Sequence, residues 1–289
     1  MASMRDIKRR RSSIQSTGQI TKAMKLVSTV KLQRTKQAAV NSKSYFDYMY
    51  RTVKSMLAKA GEINHPYVCG NGSNKKAVVM ITGNRGLAGG YNSNVVKLIT
   101  RSELKKEDLI IYPMGKKGRE AMLRYGYELA EDYSTMIDAP EYVDAMRLAS
   151  ALLSSYSAGV IGEIYLAYTN FKNTVVHEPK LIKLLPIDRQ EEIEGPVKEK
   201  EGPEAPMNFE PEEEEALNLI IPKYVTSIIY GGMIESVASE NGARMQAMDN
   251  ATTNAEEMID KLTLQYNRAR QGSITQELTE IIAGSQAQN

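Results

Sequence analysis

The chain has few of the residues from which catalytic and metal centres are built. Its 289 residues include one cysteine, Cys69, and two histidines, His65 and His177. A single cysteine excludes a disulfide framework within the chain and a zinc site made of cysteine pairs. Neither histidine has a serine or cysteine partner in a recognisable nucleophile arrangement. We therefore expect no catalytic residues, no metal site and no cofactor.

Long apolar runs are also lacking. No run approaches the roughly 20 residues that a membrane-spanning helix needs. The basic stretch Lys8–Arg11 is not followed by an apolar stretch, so we expect no secretory signal there. Because the first residues are rich in arginine and serine and poor in acid, their composition alone would also suit an organelle transit peptide.

Proline is absent from both ends of the chain, since all ten prolines lie between Pro66 and Pro222. A proline inside a helix costs about 3 kcal/mol, so both ends can form long helices. Apolar residues three and four positions apart support an N-terminal helix: Ile20, Ala23, Val27 and Val30, then Tyr45, Met49, Val53, Met56 and Ala60. The C-terminal pattern repeats every 3.5 residues, as in a left-handed coiled coil: Met248, Thr252, Ala255, Ile259, Leu262, Tyr266 and Ala269.

The predicted helices are too long for the rest of the chain to cover. A helix over residues 5–59 would be roughly 80 Å long, and one over residues 223–283 roughly 90 Å. The two ends must therefore wrap each other, and their remaining face must be solvated or enclosed by another protein. The chain carries 14 basic residues in positions 1–59 against Asp6 and Asp47, a net charge of +12 there. Such asymmetry is typical of a surface that meets an oppositely charged partner.

The middle of the chain alternates between strand and helix patterns. Residues 77–82 and 109–114 are short apolar runs, each followed by a glycine-containing turn and a helix pattern. Residues 127–133 can form a short third strand. An amphipathic helix at 141–159 precedes a closing hairpin around residues 172–173. This order predicts an α/β sandwich.

An acidic, proline-rich stretch follows. Residues 188–215 hold 12 acidic and three basic residues, which predicts a solvated loop leading into a helix that Pro222 kinks. The predicted organisation is an N-terminal coiled-coil helix (1–62), a Rossmann-like α/β domain (75–187), the acidic loop (188–211) and a C-terminal coiled-coil helix (212–289).

Two turns could bind anions. The loop Gly83–Gly90 follows a strand, but its glycine spacing is not that of a dinucleotide site, and no Gly-Lys-Ser/Thr triplet follows. A tight turn between strand and helix is the better interpretation. The stretch 115–118 places Lys116 and Lys117 at a helix N-terminus, where anions can bind, but two lysines alone favour a solvated turn.

Several motifs resemble the gamma subunit of F-type ATP synthases of the bacterial type. They are "ITKAM" (20–24) with the V-S-x-x-K-L stretch after it, "NRGLAGGYN" (84–92), "NFKNT" (170–174), "LLPI" (184–187), "SENGARMQAM" (239–248) and "YNRARQGSITQELTEI" (266–281). Together they span essentially the whole chain. The resemblance makes the basic N-terminus the start of a helix, so the transit-peptide interpretation loses its support.

The resemblance implies an α/β fold in which a long antiparallel coiled coil of the N- and C-terminal helices joins a Rossmann-like middle domain that binds no nucleotide. It implies one copy per complex, inside a ring of three alpha and three beta subunits, with the middle domain on the epsilon subunit and the c-ring. The implied function is torque transmission between the ion-driven c-ring and the catalytic ring, which couples ion transport to ATP synthesis or hydrolysis. The implied location is peripheral, on the cytoplasmic face of a bacterial plasma membrane.

The resemblance also assigns contact residues. Those expected to meet the alpha/beta ring are Lys22, Met24, Lys25, Arg244, Gln246, Gln271, Thr275 and Glu277. Those expected to face an apolar sleeve or to seal the coiled-coil tip are Ile274, Leu278, Ile281 and Ile282.

Three positions depart from the family pattern. Gly18 stands where the family has a polar helix former, and a glycine costs about 1 kcal/mol in a helix interior. Lys25 stands where Glu is common, which would strengthen attraction to an acidic lever on beta and slow rotation. Ala88 replaces the usual cysteine, so that sulfur is not required.

Two other functions remain open from the residues themselves. One is a nucleotide-binding enzyme that uses the Gly83–Gly90 loop. The other is a coiled-coil protein that binds nucleic acid through the basic patch Lys8–Arg11, since cations dominate nucleic-acid affinity. The cations are spread along a whole helix, which favours a solvated face or an acidic protein partner over nucleic acid.

Overall fold

Two long helices dominate the chain, as the proline-free ends predict. The computed structural model describes residues 4–59, 65–187 and 213–287. Helix α1 spans Met4–Lys59 and helix α6 spans Glu213–Ala287, which are 56 and 75 residues. Helix α6 continues through Pro222, whose carbonyl accepts a hydrogen bond of 2.7 Å from the Thr226 hydroxyl. The predicted acidic loop at 188–211 lies outside the described residues.

The chain forms two compact units. One comprises residues 1–29 and 244–289, and we call it the helical unit; the other comprises residues 30–243, and we call it the sheet unit. Both α1 and α6 contribute to both units. The four-part division expected from the sequence stays a prediction.

The sheet unit contains a mixed five-stranded sheet. Its strands are β1 (Lys76–Ile81), β2 (Leu109–Met114), β3 (Glu128–Leu129), β4 (Glu163–Phe171) and β5 (His177–Leu185), and their order is β3-β2-β1-β4-β5. The first four strands are parallel, and β5 pairs antiparallel with β4. The further helices are α2 (Pro66–Cys69), α3 (Tyr91–Thr100), α4 (Lys116–Arg124) and α5 (Tyr142–Ser157). The predicted Rossmann-like α/β fold and its closing hairpin are confirmed.

Each face of the sheet has its own core, because successive side chains of a strand point to opposite faces. Val78 and Met80 belong to a buried cluster with residues of α3 and α4. Val79 and Ile81 belong to a larger cluster with α5 and α6. Both faces of β1 are therefore covered, which explains its unbroken apolar run.

Helix α6 is a core helix within the sheet unit. Leu217, Ile221, Val225, Ile229 and Met233 are each fully buried. By length and composition α6 contains one stretch that could cross a membrane, but 61% of that stretch is buried within the protein. A helix buried in a protein core can have the same length and composition, so these two properties are weak evidence for a membrane span.

In the helical unit α1 and α6 form an antiparallel coiled coil. A cross-helix hydrogen bond of 2.8 Å joins the Thr21 and Thr252 hydroxyls, and Lys25 lies 2.6 Å from Asp249. The partner number on α6 falls as the number on α1 rises, which makes the pair antiparallel. All seven α6 positions of the predicted repeat, from Met248 to Ala269, are buried or half-buried, so that seam is confirmed.

The first apolar run of α1, from Ile20 to Val30, predicts the helix but does not mark the seam, whereas Val53 and Met56 of the second run are buried in the sheet unit. Ile20 and Val27 are 60% and 58% exposed, and Ala23 is exposed as well, whereas Thr21 and Ser28 are buried. On α1 the seam uses small residues, which lets the two helices approach closely. A Cβ added to Gly18 would lie 3.3 Å from the Cβ of Ala255. Gly18, the first departure from the family pattern, thus lies at a close contact between the helices.

Candidate interaction surface on the helical unit

The helical unit exposes many large apolar side chains. Each of the following is between 48% and 68% exposed: Ile20, Leu26, Val27, Met258, Leu264, Ile274, Leu278, Ile281 and Ile282. Single exposed apolar residues are normal on a protein surface, but this concentration on two paired helices is typical of a protein interaction surface. We call these nine residues the apolar surface of the helical unit.

Four of them are the residues expected at the sleeve or the tip. Ile274, Leu278, Ile281 and Ile282 lie in the last four turns of α6, and all are exposed. In this chain alone they therefore do not form a sealed apolar tip. Their exposure suits contact with another protein, because burying such a side chain contributes about 1.5–3 kcal/mol.

The polar contact candidates lie along the same helices. Gln271, Thr275 and Glu277 are exposed on α6, and the Thr275 hydroxyl donates to the carbonyl of Gln271 at 2.9 Å. Nearer the sheet unit in sequence, Gln246 is exposed and Arg244 is half-buried.

The candidates on α1 differ from one another. Lys22 is exposed, and Met24 is half-buried. The Lys25 ammonium is bonded to the carboxylate of Asp249, and the two side chains are 38% and 54% exposed. Lys25 therefore has an acidic partner within the chain, which sequence reasoning missed because the two residues are 224 positions apart.

The basic face of α1 is only partly engaged with α6. Arg11 lies over the ring of Tyr266, with its guanidinium carbon 5.7 Å from the ring centre. Arg9 lies 3.4 Å from Asp6 on its own helix, while Lys8 and Arg10 are exposed. Exposed ion pairs contribute at most about 1 kcal/mol, so this face remains available to an acidic partner.

At the glycine-rich loop of the sheet unit, two asparagine side chains of the loop region accept hydrogen bonds from backbone amides. The Gly83 amide donates to the Asn92 side chain at 2.8 Å, and the Lys116 amide donates to the Asn84 side chain at 2.9 Å. A Cβ added to Gly83 would lie 2.5 Å from a carboxylate oxygen of Glu240. A carboxylate beside the loop repels phosphate, so this geometry favours the tight turn over a nucleotide site.

The same loop contains a residue with an unusual backbone conformation that the sequence does not predict. Leu87 has a positive φ of 61° and is 63% exposed. Residues other than glycine rarely adopt this conformation, and no local sequence signal marks Leu87 for it.

A charged cluster lies where strands β1 and β4 begin. Lys76 and Lys183 lie 2.7 and 3.0 Å from the carboxylate of Glu163, and the Tyr165 hydroxyl donates to it at 2.9 Å. Partial burial opposes ionisation, but the bonds from Lys76, Lys183 and Tyr165 outweigh it and lower the pKa of Glu163 to about 2. These partners lie on β1, β4 and β5, so the cluster links the three strands. Within the described ranges, no group of three or more His, Cys, Asp or Glu side chains could hold a metal ion.

Comparison with known proteins identifies the class to which this fold belongs. A family model described as ATP synthase matches residues 3–287. A chain in a solved structure of Euglena gracilis mitochondrial ATP synthase has a similar fold, with a TM-score of 0.65 and 19% identity. That match covers 98% of this chain and 94% of the other. The class is therefore that of ATP synthase chains.

Sequence relatives narrow the class further. The ATP synthase gamma chain of Lachnoclostridium phytofermentans is 62% identical over 291 aligned positions, which cover all of both chains. A gamma chain of Acetobacterium woodii, whose name describes it as sodium ion specific, is 40% identical, and the match covers 99% of each chain. The chain belongs to the ATP synthase gamma family, as the sequence motifs predict.

Proposed function

We propose that the chain is the central rotor subunit of an ATP synthase and transmits torque between an ion-driven c-ring and a catalytic ring of alpha and beta subunits. The observation that carries this proposal is the apolar surface of the helical unit. A two-helix coiled coil that leaves nine large apolar residues exposed needs a protein around it. Membership of the gamma family supplies the identity of that protein.

The mechanism is a coupling of binding equilibria. An asymmetric pair of helices inside a ring of three equivalent catalytic subunits contacts each subunit differently. Rotation therefore shifts the population of each subunit among conformations of different nucleotide affinity. The chain supplies contacts and stiffness to this process, while the reaction takes place on the alpha/beta ring.

The proposal includes specific partners and positions. One copy joins three alpha and three beta subunits, and the sheet unit docks on the epsilon subunit and the c-ring. The complex holds the chain at the cytoplasmic face of a bacterial plasma membrane. The residues that contact the ring are Lys22, Met24, Lys25, Arg244, Gln246, Gln271, Thr275 and Glu277. Those that face the apolar sleeve are Ile274, Leu278, Ile281 and Ile282.

Native mass spectrometry of the captured complex tests the assembly. An affinity tag inserted at Gly202 leaves α1 and α6 intact. The expected particle contains one tagged chain with three copies each of two nucleotide-binding subunits. Recovery as a free monomer or a homodimer, in cells that contain those subunits, would contradict the proposal.

A further inference from the structure

Within the sheet unit, α6 is hydrogen-bonded to the backbone of β4 at one residue. The amide of Thr169 donates to the Ser236 hydroxyl at 3.2 Å, and the Ser239 hydroxyl donates to the carbonyl of Thr169 at 3.2 Å. All three residues are buried. Both backbone groups of one strand residue are thus bonded to side chains of a single helix.

The position of Thr169 in the sheet explains this arrangement. The pairing of β4 with β1 ends at Ala167, two residues earlier. On the other side Thr169 lies opposite Pro179 of β5, which has no N–H to donate to the Thr169 carbonyl. A buried backbone group without a partner is costly, and the two serine hydroxyls of α6 remove that cost.

Two glycines let the helix lie close to the same strands. A Cβ added to Gly232 would lie 3.0 Å from the Leu166 side chain of β4. A Cβ added to Gly242 would lie 2.7 Å from the imidazole of His177, the first residue of β5. The His177 ring therefore occupies the space that any larger residue at 242 would need. Gly232, Ser236, Ser239 and Gly242 are spaced four and three apart, so they lie on one face of α6.

We propose that Ser236, Ser239 and Gly242 of α6, with Thr169 and His177, form a clamp through which torque passes between the sheet and α6. The clamp lies in the last α6 turns of the sheet unit, which ends at Ala243. Beyond that residue α6 continues into the helical unit, so a load on the helix reaches the sheet across these contacts. The two hydrogen bonds resist sliding along the helix axis, and the His177 ring against Gly242 resists rotation. This inference rests on the proposed rotor function.

Removing the serine hydroxyls tests the clamp. The double variant Ser236→Ala, Ser239→Ala leaves both backbone groups of Thr169 buried without their α6 partners. Ser227→Ala is the matched control, because Ser227 is equally buried on α6 but its hydroxyl donates to the Lys223 carbonyl of its own helix. In the assembled complex in vesicles, we expect the double variant to keep at least half of the ATP hydrolysis. The number of ions pumped per ATP should fall at least threefold.

That ratio separates a torque-bearing role from a merely structural one. A variant that only folds or assembles poorly loses hydrolysis and pumping together, which leaves their ratio unchanged. A ratio equal to that of Ser227→Ala would overturn the proposal.

A second pair of variants tests the ring contact. Gly242→Ala forces a methyl group against His177 and should lower the same ratio, whereas Gly242→Ala combined with His177→Ala should restore it. Gly86→Ala is the control, since nothing lies within 4 Å of its added Cβ and Gly86 belongs to the sheet unit, outside the residues expected to contact the alpha/beta ring. Failure of the combined variant to recover would overturn the assigned role of the ring.

Hydrogen exchange on the full chain alone separates this inference from the rotor proposal. The Thr169 amide should exchange at least tenfold faster in the serine double variant than in Ser227→Ala. Unchanged exchange overturns the clamp whatever the complex does. A different result is that exchange is faster in the double variant, but the wild-type chain assembles without coupling pumping to hydrolysis. That result supports the two hydrogen bonds and overturns both the rotor function and the torque role of the clamp.

Discussion

The sheet unit and the helical unit place their large apolar residues in opposite ways. In the sheet unit, α6 buries Leu217, Val225 and Met233 against the chain's own strands and helices. In the helical unit the same helix exposes Leu264, Leu278 and others, while small and polar residues of α1 line the seam. One unit is stabilised by its own core, and the other keeps much of its apolar surface for a partner. The length of a helix therefore says little about where its stability comes from.

The largest expected effect comes from exchanging one leucine in each unit for alanine. Leu148 of α5 is fully buried, so Leu148→Ala should lower the free energy of unfolding by about 2–5 kcal/mol. Leu278→Ala removes the same atoms from a side chain that is 55% exposed, so it should change the free energy of unfolding by less than about 0.5 kcal/mol. Urea titration of the free chain, followed by tyrosine fluorescence, measures both. Equal losses would remove the distinction between the units.

The seam of the helical unit should be sensitive to added volume. Gly18→Val places a branched side chain against Ala255, where even a Cβ would lie 3.3 Å away. Overpacking of this kind costs about 1–3 kcal/mol, which exceeds the gain in helix propensity. Gly272→Val, where the added Cβ meets nothing within 4 Å, should be neutral or slightly stabilising. Thermal melts of the free chain compare the two, and equal melting temperatures would show that the helices do not approach closely at Gly18.

The sequence predicts the helices and strands of the fold more completely than it predicts which residues form the seam between α1 and α6. Missing prolines predict both long helices, and short apolar runs between turns predict the strands. The α6 heptads also predict the buried side of that helix. On α1 the same reasoning selects Val53 and Met56, which are buried, but also Ile20 and Val27, which are exposed. Apolar spacing indicates a face that is buried without saying what buries it. A single chain cannot distinguish burial against itself from burial against a partner.

The local contacts depended on residues that are distant in sequence. Nothing near Lys25 identifies Asp249 as its partner, and nothing near Thr169 indicates that α6 supplies its hydrogen bonds. The contact residues assigned by family resemblance remain predictions that only the assembled complex can test.

The charged cluster of the sheet unit should make the stability of the chain depend on pH. The pKa of Glu163 falls from 4.5 to about 2 on folding, so its contribution is fully present above pH 4.5 and is lost as the pH falls toward 2. After allowance for solvent screening the contribution is about 1–2 kcal/mol. Glu163→Gln should destabilise the chain by that amount at pH 7 and by less at pH 3. Urea midpoints at the two pH values test this, and a difference independent of pH would contradict it.

The smallest effect is expected at Lys25, where two consequences of one substitution oppose each other. Lys25→Glu removes the ion pair with Asp249 and places two carboxylates side by side, which should destabilise the free helical unit by less than about 1 kcal/mol. In the assembled complex the same change removes a cation that would attract an acidic lever on beta, so ATP turnover should rise.

The double variant Lys25→Glu, Asp249→Lys restores the ion pair while keeping the negative charge on α1. If turnover rises in both variants, attraction between Lys25 and beta slows rotation in the natural chain. If it rises only in the single variant, the loosened seam is the cause, and if it rises in neither, the proposed braking by Lys25 is wrong.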